Sequence, residues 1–594
     1  MRIGVDAGGT FTDFVVERGG RITTFKLRSN PADPASVVIE GIERAAQGGA
    51  NVDIEVVHGT KIDVDHGTKI DVVHGTTVAT NALLERKGAR TAFVTNEGFA
   101  DLLAIGRQNR RQLYSLTPQQ PEHLVPPDLR FGAGNADKLR RALRKAKVES
   151  VAICLLHAYR DPSQERALAA ALGDFRLSVS SEVCPEFREY ERASTTVIDA
   201  YVAPLMDHYL RRLSDGCPYP LSIVQSNGGV LSAEEARAAA VRTILSGPAG
   251  GVVGAIELAK RSGYRKILAF DMGGTSTDVS LSDGRAEESM EAMVDGMPVR
   301  VPMLDIQTVG AGGGSIARID EGGLLRVGPE SAGANPGPAC YGEGTRPTVT
   351  DAHVALGRVS ALLGGEIKLD KKRSLAALRS LGMDPKRAAQ GVVRVANANM
   401  LRAIRAVSVE RGRDPREYAL LAFGGCGGLH ACELAEELGI RTVLAPEHAG
   451  VLSALGMLLA EYRRDFSRGV LGLTDFEPVF RELESRAGDG VKIERFADLR
   501  YRGQSYELTV PWKNAEAGFA AKHKNRYGYA MRSQIEVVTL RVRASRPAPR
   551  VRLTGGATIA GRGPATIAGY GSTLWIPRGW RYRSDGAGTL VVSR

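Results

Sequence analysis

The spacing of apolar positions changes along the chain, and each change marks an element. Arg2–Val5 alternates as a strand and breaks at Asp6-Ala-Gly-Gly-Thr-Phe-Thr-Asp13. β-type residues resume at Phe14-Val-Val16, and Gly19-Gly20 predicts a hairpin before the strand Arg21–Leu27. Helices are expected over Pro31–Ala46, Asp137–Lys147 and Thr195–Leu213, with a buried strand over Val148–Leu156. Leu245-Ser-Gly-Pro-Ala-Gly-Gly251 opens a helix of small and apolar residues through Lys260, because Pro248 suits a first turn and Gly263 suits an end. The apolar strand Lys266–Phe270 runs into Asp271-Met-Gly-Gly-Thr-Ser-Thr-Asp278 and then a strand, Val279–Leu281. Residues 387–411 read as a long helix and Tyr418–Phe423 as a strand. Gly424–Gly428 reads as a loop, Leu429–Leu438 as a helix and Thr442–Leu444 as a strand, with a small-residue helix from about Gly450. After about residue 466 the segments Asp498–Tyr501, Tyr506–Val510, Ile535–Val542 and Thr573–Ile576 are of β type, which predicts a separate C-terminal region.

The order predicts an α/β protein in three regions: 1–190, 191–465 and a β-rich 466–594. With 594 residues, 43% hydrophobic and 24% charged, the chain has material for sizeable cores, which excludes wholesale disorder. No apolar run approaches the roughly 18 residues of a membrane span, and Asp6 stands where a signal peptide needs its apolar stretch. A cytoplasmic protein with no membrane association is expected. Six scattered cysteines without CxxC spacing read as reduced thiols. The net charge of +11 is uneven: residues 541–594 hold ten Arg and one acid, Asp585, a net +9 that leaves +2 for the rest. That excess predicts a solvated or subunit-facing surface. No nucleic-acid partner is expected, since no recognition motif accompanies it.

An eight-residue repeat, HGTKIDVD at 58–65 and HGTKIDVV at 66–73, precedes HGTTVATN at 74–81. Its spacing predicts an exposed extra loop or hairpin, tolerated because surface insertions cost little. A metal site on its three histidines is the weaker alternative.

Candidate chemistry lies first in the doubled DxGGTxTD motif. Each copy joins two strands, unlike Rossmann or P-loop glycines, which open a helix. Glycine lets backbone N–H groups approach an anion closely, and threonine hydroxyls add donors. Facing carboxylates would repel phosphate without a divalent cation, so Mg²⁺ is implied, and an aspartate can also polarise a nucleophile. Phe423-Gly-Gly-Cys-Gly-Gly-Leu-His430 is a third element, where glycines admit a flat group or ribose and a helix N-terminus favours anions. Cys426 reads as a buried thiol rather than a nucleophile, and His430 as a packing or hydrogen-bonding residue rather than a ligand. His74-Gly-Thr-Thr77 with Asn81 is either a capped helix start or part of a site. Asp351 and His353 fit a site pair and a structural turn equally.

Two such hairpins and a glycine-rich loop resemble the actin, Hsp70 and sugar-kinase type of ATPase, in which two related α/β halves close on ATP. The ordered series DAGGTFTD, HGTTVATNALLERKGAR, SGPAGGVVGA, FDMGGTSTDVS, VGAGGGSIA, VGPESAGANPGPACYG, PTVTDA and FGGCGGLHA resembles the hydantoinase/oxoprolinase family over nearly the whole chain. RYGYA and GPATI…GSTLWIPRGW extend the likeness toward the C-terminus. Against that family the 58–73 repeat looks inserted and the C-terminal region short. The resemblance implies ATP-driven phosphorylation of an amide, lactam or ketone oxygen, completed with a separate B-type subunit in an oligomer. It assigns Asp6 and Asp271 to catalysis, and Gly8, Gly9, Thr10, Thr12, Gly273, Gly274, Thr275 and Thr277 to phosphate. Gly424, Gly425, Gly427 and Gly428 go to adenosine, and Asp13 and Asp278 to Mg²⁺. His74, Thr76, Thr77 and Asn81 stand on the candidate substrate side. The expected reaction is ATP-dependent hydrolysis of a small cyclic amide. Alternatives are the β-type subunit of a ketone carboxylase, an ATP-gated binding or reactivase protein, and a sugar kinase.

Overall fold

A computed structural model describes residues 1–30, 32–47, 70–109, 114, 116–117, 122–551, 553 and 558–594. Its N-terminal half is built on β1 (Arg2–Ala7), β2 (Phe11–Arg18) and β3 (Arg21–Arg28), an antiparallel meander. Gly19 and Gly20 form the two-residue turn at φ +60° and +89°, which glycine adopts without strain. That turn fixes the register of β2 on β3, setting Asp13 opposite Lys26, while the Gly8–Thr10 turn between β1 and β2 sets Asp6 opposite Asp13. β4 (Asp71–Thr76) lies parallel to β1 and puts Gly75 beside Asp6. These are the end of a ten-stranded sheet that continues through Leu221–Val224, Val230–Ser232, Tyr462–Gly469, Ile535–Arg546, Lys492–Tyr501 and Leu508–Pro511. A separate four-stranded parallel sheet over residues 91–179 is attached to this half.

α1 (Ser246–Arg261) leads out of the first half, and the second repeats its plan. β5 (Lys266–Met272) and β6 (Thr277–Asp283) form a hairpin with Asp271 opposite Asp278, and β7 (Ala419–Phe423) runs parallel to β5. α2 (Gly424–Leu438) follows, then Thr442–Pro446 and α3 (Leu452–Leu459), which returns the chain to the ten-stranded sheet at Tyr462–Gly469. This is the two-half α/β architecture that the doubled motif predicts.

The halves are joined where α1 crosses α3. A Cβ on Gly456 would stand 1.9 Å from the Gly250 carbonyl oxygen, and one on Gly254 would stand 2.9 Å from that of Leu452. Glycine inside a helix costs about 1 kcal/mol relative to alanine. Here that cost is offset by a backbone approach that no side chain permits.

Three expectations change. The C-terminal β segments are not a separate layer. Tyr462–Gly469, Lys492–Tyr501, Leu508–Pro511 and Ile535–Arg546 extend the first sheet, whereas Thr589–Ser593 pairs with Thr442–Pro446 in the second. Their inward faces bury Leu540, Val542 and Ala544 against one core and Val592 against another, which local alternation does not reveal. The arginine-rich end is only in part the solvated surface expected: Arg546, Arg550, Arg562, Arg578, Arg581 and Arg583 are exposed, but three others are drawn into ion pairs. Buried Arg541 pairs with Asp498 and Glu186, Arg543 with Glu288 and Asp465, and Arg594 with Glu436. Finally, Gly424–Gly427 is the first turn of α2 rather than a loop, with Gly424 at φ +76°.

Most of the 58–73 repeat lies outside the described residues, but its last four do not belong to a loop. Ile70, Val72 and Val73 are buried, and Asp71–Val73 lies in β4 beside β1. The sequence supplies a substitute for them. Ile54-Glu-Val-Val57 has the pattern of Ile70-Asp-Val-Val73 and likewise precedes His-Gly-Thr. Deleting residues 58–73 joins Val57 to His74 and preserves the apolar face that β4 needs. The thermal midpoint of that variant is expected to stay within about 3 °C of the parent, whereas loss of a central strand would cost far more. Differential scanning calorimetry checks it.

Candidate active site

The two hairpins match atom for atom in their turns. The Gly8 N–H donates to the Phe11 carbonyl at 3.1 Å, and the Gly273 N–H to the Ser276 carbonyl at 3.0 Å. In both, the second glycine and the next threonine (Gly9-Thr10, Gly274-Thr275) are exposed, while Thr12 and Thr277 are buried. A Cβ on Gly9 or Gly274 would meet nothing within 4 Å, and neither has a positive φ. The fold therefore gives no reason for glycine there, whereas close approach of a ligand to the backbone does. Thr12 and Thr277 support the turns instead of facing a ligand. The Thr12 hydroxyl bonds that of Ser29 at 3.1 Å, and Thr277 donates to the Ala311 carbonyl at 2.5 Å. The second turn is braced further by the Gly-rich segment at 310–314, where the Gly313 and Gly314 N–H groups bond the Gly273 and Gly274 carbonyls.

The four motif aspartates share one cleft. Burial raises the Asp271 carboxyl well above its usual range, and the charges of Asp278, then of Asp6 and Asp13 in the other half, push it further. Burial, with Asp13 beside it, pushes Asp6 up to about 7, and Asp6 Oδ1 is buried without a hydrogen-bond partner. Burial lifts Asp278 to about 6. Like charges held this close are a standing cost that a cation or a proton relieves. Asp13 and Asp278, expected as metal ligands, already have partners: Lys26 Nζ at 2.6 Å and the Thr308 hydroxyl at 2.5 Å. Among the described residues no three His, Cys, Asp or Glu side chains form a metal cage. Mg²⁺ seldom needs one, since it binds through one or two carboxylates and the phosphates of a substrate. The orphaned Asp6 oxygen and the two open glycine turns fit a phosphate–Mg²⁺ group.

The elements around the hairpins divide into scaffold and cleft. A Cβ on Gly75 or Gly247 would lie 3.8 or 3.2 Å from Asp6 Oδ1, so β4 and the start of α1 close around this carboxylate. Thr77 bonds the Ala7 carbonyl at 3.1 Å and Asn81 is exposed at its side. His74 and Thr76 face away from solvent. His74 is fully buried between the Val5 carbonyl and the Tyr209 hydroxyl, and burial pushes its imidazole down to about 4. The Ser246 hydroxyl accepts from the Thr76 N–H and donates to the Thr76 carbonyl. His74 and Thr76 position the site rather than enter it.

At α2, Gly424 lies where a Cβ would sit 2.3 Å from Asp271 Oδ1, and Gly428 where one would sit 2.5 Å from the Thr573 carbonyl. Gly427 is buried beside Phe270, whereas Gly425 is exposed. Packing thus demands glycine at Gly424 and Gly428, whereas a Cβ at Gly427 would make only ordinary contacts. An apolar cavity of about 230 Å³ adjoins Gly428, walled also by Ala445, Ala449, Ile567 and Leu590. Burial raises the Cys426 thiol to about 11, so it is no thiolate nucleophile. His430 bonds Asn397 and the buried His353, as a packing residue does, and Asp351 caps its helix and accepts from Ala339, Cys340 and Ser374. The sequence reading missed Lys26, Thr308 and Tyr209.

Two related α/β halves presenting matched DxGGTxTD turns to one cleft define the actin, Hsp70 and sugar-kinase class of fold. Within it, the chain belongs to the hydantoinase/oxoprolinase family. The pattern "Hydantoinase/oxoprolinase" matches residues 192–466, and that of its N-terminal region matches residues 2–174. The chain is 35% identical to the caprolactamase subunit alpha of Pseudomonas jessenii, over 91% of this chain and 86% of that one. It is 32% identical to the 5-oxoprolinase of Saccharomyces cerevisiae, covering 92% of this chain but 49% of that protein, about half its length. The crystal structure of the ATP-dependent caprolactamase from Pseudomonas jessenii superposes with a TM-score of 0.86 at 31% identity, over the whole of both chains. No helix among the described residues is long and apolar enough to cross a membrane.

Proposed function

We propose that this chain is the A-type, ATP-using subunit of a hydrolase for small cyclic amides. The observation that carries the reading is the shared cleft, in which Asp271 of one half feels Asp6 and Asp13 of the other. The full-length likeness to a caprolactamase subunit alpha supports the substrate class. When bound, MgATP supplies a phosphoryl group that turns an amide oxygen into a leaving group. The chain's own residues do the rest. The turn N–H groups of Gly9–Thr10 and Gly274–Thr275 hold phosphate oxygens, and Gly425 with the neighbouring apolar cavity receives the nucleoside. Asp6 and Asp271 are the carboxylates placed to meet Mg²⁺ or orient the attacking oxygen. Asp13 and Asp278 act through Lys26 and Thr308. Thr77 and Asn81 stand at the rim on the substrate side. A B-type subunit completes ring opening, and the working form is an oligomer.

ATP hydrolysis measured against lactams, hydantoins, ketones and sugars, with and without co-purifying protein, tests this. Stimulation by lactams or hydantoins is expected. Stimulation by ketone with bicarbonate alone, by a sugar alone or by a protein client alone would refute it.

The raised aspartates also predict a pH dependence. Asp6 and Asp278 gain their charge only as pH rises through about 7 and about 6. Activity that needs the ionised carboxylates is lost below those values and retained above them. The profile of kcat/KM for ATP is expected to rise between about pH 5.5 and 7.5 and then level. A flat profile down to pH 5 would contradict the role given to Asp6.

A further inference from the structure

Lys26 was not part of any motif, yet it occupies the middle of the site. β3 carries it opposite Asp13, and its side chain is 9% exposed. Its Nζ donates to Asp13 Oδ1 at 2.6 Å in one half and to the Gly450 carbonyl at 2.7 Å, just before α3. The stem runs against Gly571 of the C-terminal hairpin, where a Cβ would stand 2.6 Å from Lys26 Cε. Three segments distant in sequence thus fix this ammonium at the junction of the halves. An ammonium has three donors, and Asp13 and Gly450 take two. Its charge is felt by Asp6, Asp13 and Asp271. A polyphosphate entering a cleft with four carboxylates needs positive charge, and a lysine held this way is a ready point charge for it.

We propose that Lys26 is a ligand of the nucleotide's phosphate chain, its ammonium held between Asp13 and Gly450 so that the remaining donor serves a phosphate oxygen. This rests on the nucleotide reading of the cleft. The competing role is structural: Lys26 would merely balance the buried Asp13.

The test compares dissociation constants for ATP, ADP and adenosine by isothermal titration in the full chain, with Mg²⁺ present. Lys26→Met is expected to weaken ATP and ADP by about 10- to 100-fold, the range of a charge-assisted hydrogen bond. Adenosine should change by less than about two-fold, and Lys26→Arg should recover most of the loss. Removing one partner of a buried ion pair can unfold a protein, whereas removing both is often tolerated. Asp13→Asn is therefore compared with Asp13→Asn/Lys26→Met, and the double variant is expected to bind ATP at least about 10-fold more weakly than the single one, with adenosine again unchanged. Equal ATP affinity within either pair, or equal loss for ATP and adenosine, would overturn the proposal and leave the nucleotide reading standing. A parent chain that binds neither ATP nor adenosine would overturn both.

Discussion

Asp6→Asn and Asp271→Asn are each expected to lose ATP hydrolysis by at least about 10²-fold while melting no lower than the parent. The two halves of this expectation come from the same geometry. Asparagine keeps the size of the side chain and removes the charge that meets a metal ion or orients an attacking oxygen. The charge is a burden to the folded state, because burial and the neighbouring carboxylates hold Asp6 near 7 and raise Asp271 well above its usual range. Asp6 Oδ1 accepts no hydrogen bond in the structure, so the substitution breaks none there. Neutralising a repelled carboxylate is stabilising or neutral, as happens when a site is strained for function. Rates and melting curves on the same preparations decide the matter. A variant that melts lower and turns over normally would make these aspartates hairpin scaffolding and remove the phosphate site.

The second large effect is structural. Gly456→Val is expected to lower the first unfolding transition by at least about 5 °C or to abolish soluble protein. Its Cβ would fall 1.9 Å from the Gly250 carbonyl oxygen, which belongs to helix backbone and cannot swing away. Overpacking of this kind costs roughly 1–3 kcal/mol or more. Because α1 and α3 carry the chain between the halves, separating them also moves one hairpin relative to the other, so ATPase should fall in any protein that survives. Gly274→Ala is the control: its Cβ meets no protein atom, so it should melt normally. A normal melting curve for Gly456→Val would mean that the helix crossing is looser than its backbone contact implies.

The pieces of the fold that depend on local pattern were legible. The strand–turn–strand around each DxGGTxTD run, the helix after Leu245 and the Gly19-Gly20 hairpin all stand as their spacing predicts, because their apolar faces and turn residues act over a few positions. Even Asp13 against Lys26 was readable in principle, since a two-residue Gly-Gly turn fixes which residues face each other across β2 and β3. What could not be read is what depends on distant partners. Thr12 and Thr277 look like phosphate donors in the motif, yet Ser29 and the Ala311 carbonyl claim them. His74 looks like a site residue until the Tyr209 hydroxyl, 135 positions away, is seen on its imidazole. The C-terminal strands alternate as any half-buried strand does, so nothing local says that some complete the first sheet and others the second. Arg541, Arg543 and Arg594 look like surface charge because their partners Glu186, Glu288 and Glu436 lie 355, 255 and 158 positions away in the chain.

The central claim is that the cleft drives transfer of a phosphoryl group to the amide oxygen of the substrate, rather than spending ATP on a change of shape. The most direct measurement uses a lactam labelled with ¹⁸O at its carbonyl, incubated with ATP, Mg²⁺, this chain and its partner subunit, with the inorganic phosphate analysed by mass spectrometry. If the amide oxygen accepts the phosphoryl group, that oxygen leaves with it, and one ¹⁸O atom appears in phosphate for each ring opened. If the label stays in the carboxylate of the opened product while the one oxygen that phosphate gains comes from solvent, the amide oxygen did not leave with the phosphoryl group and the account is wrong.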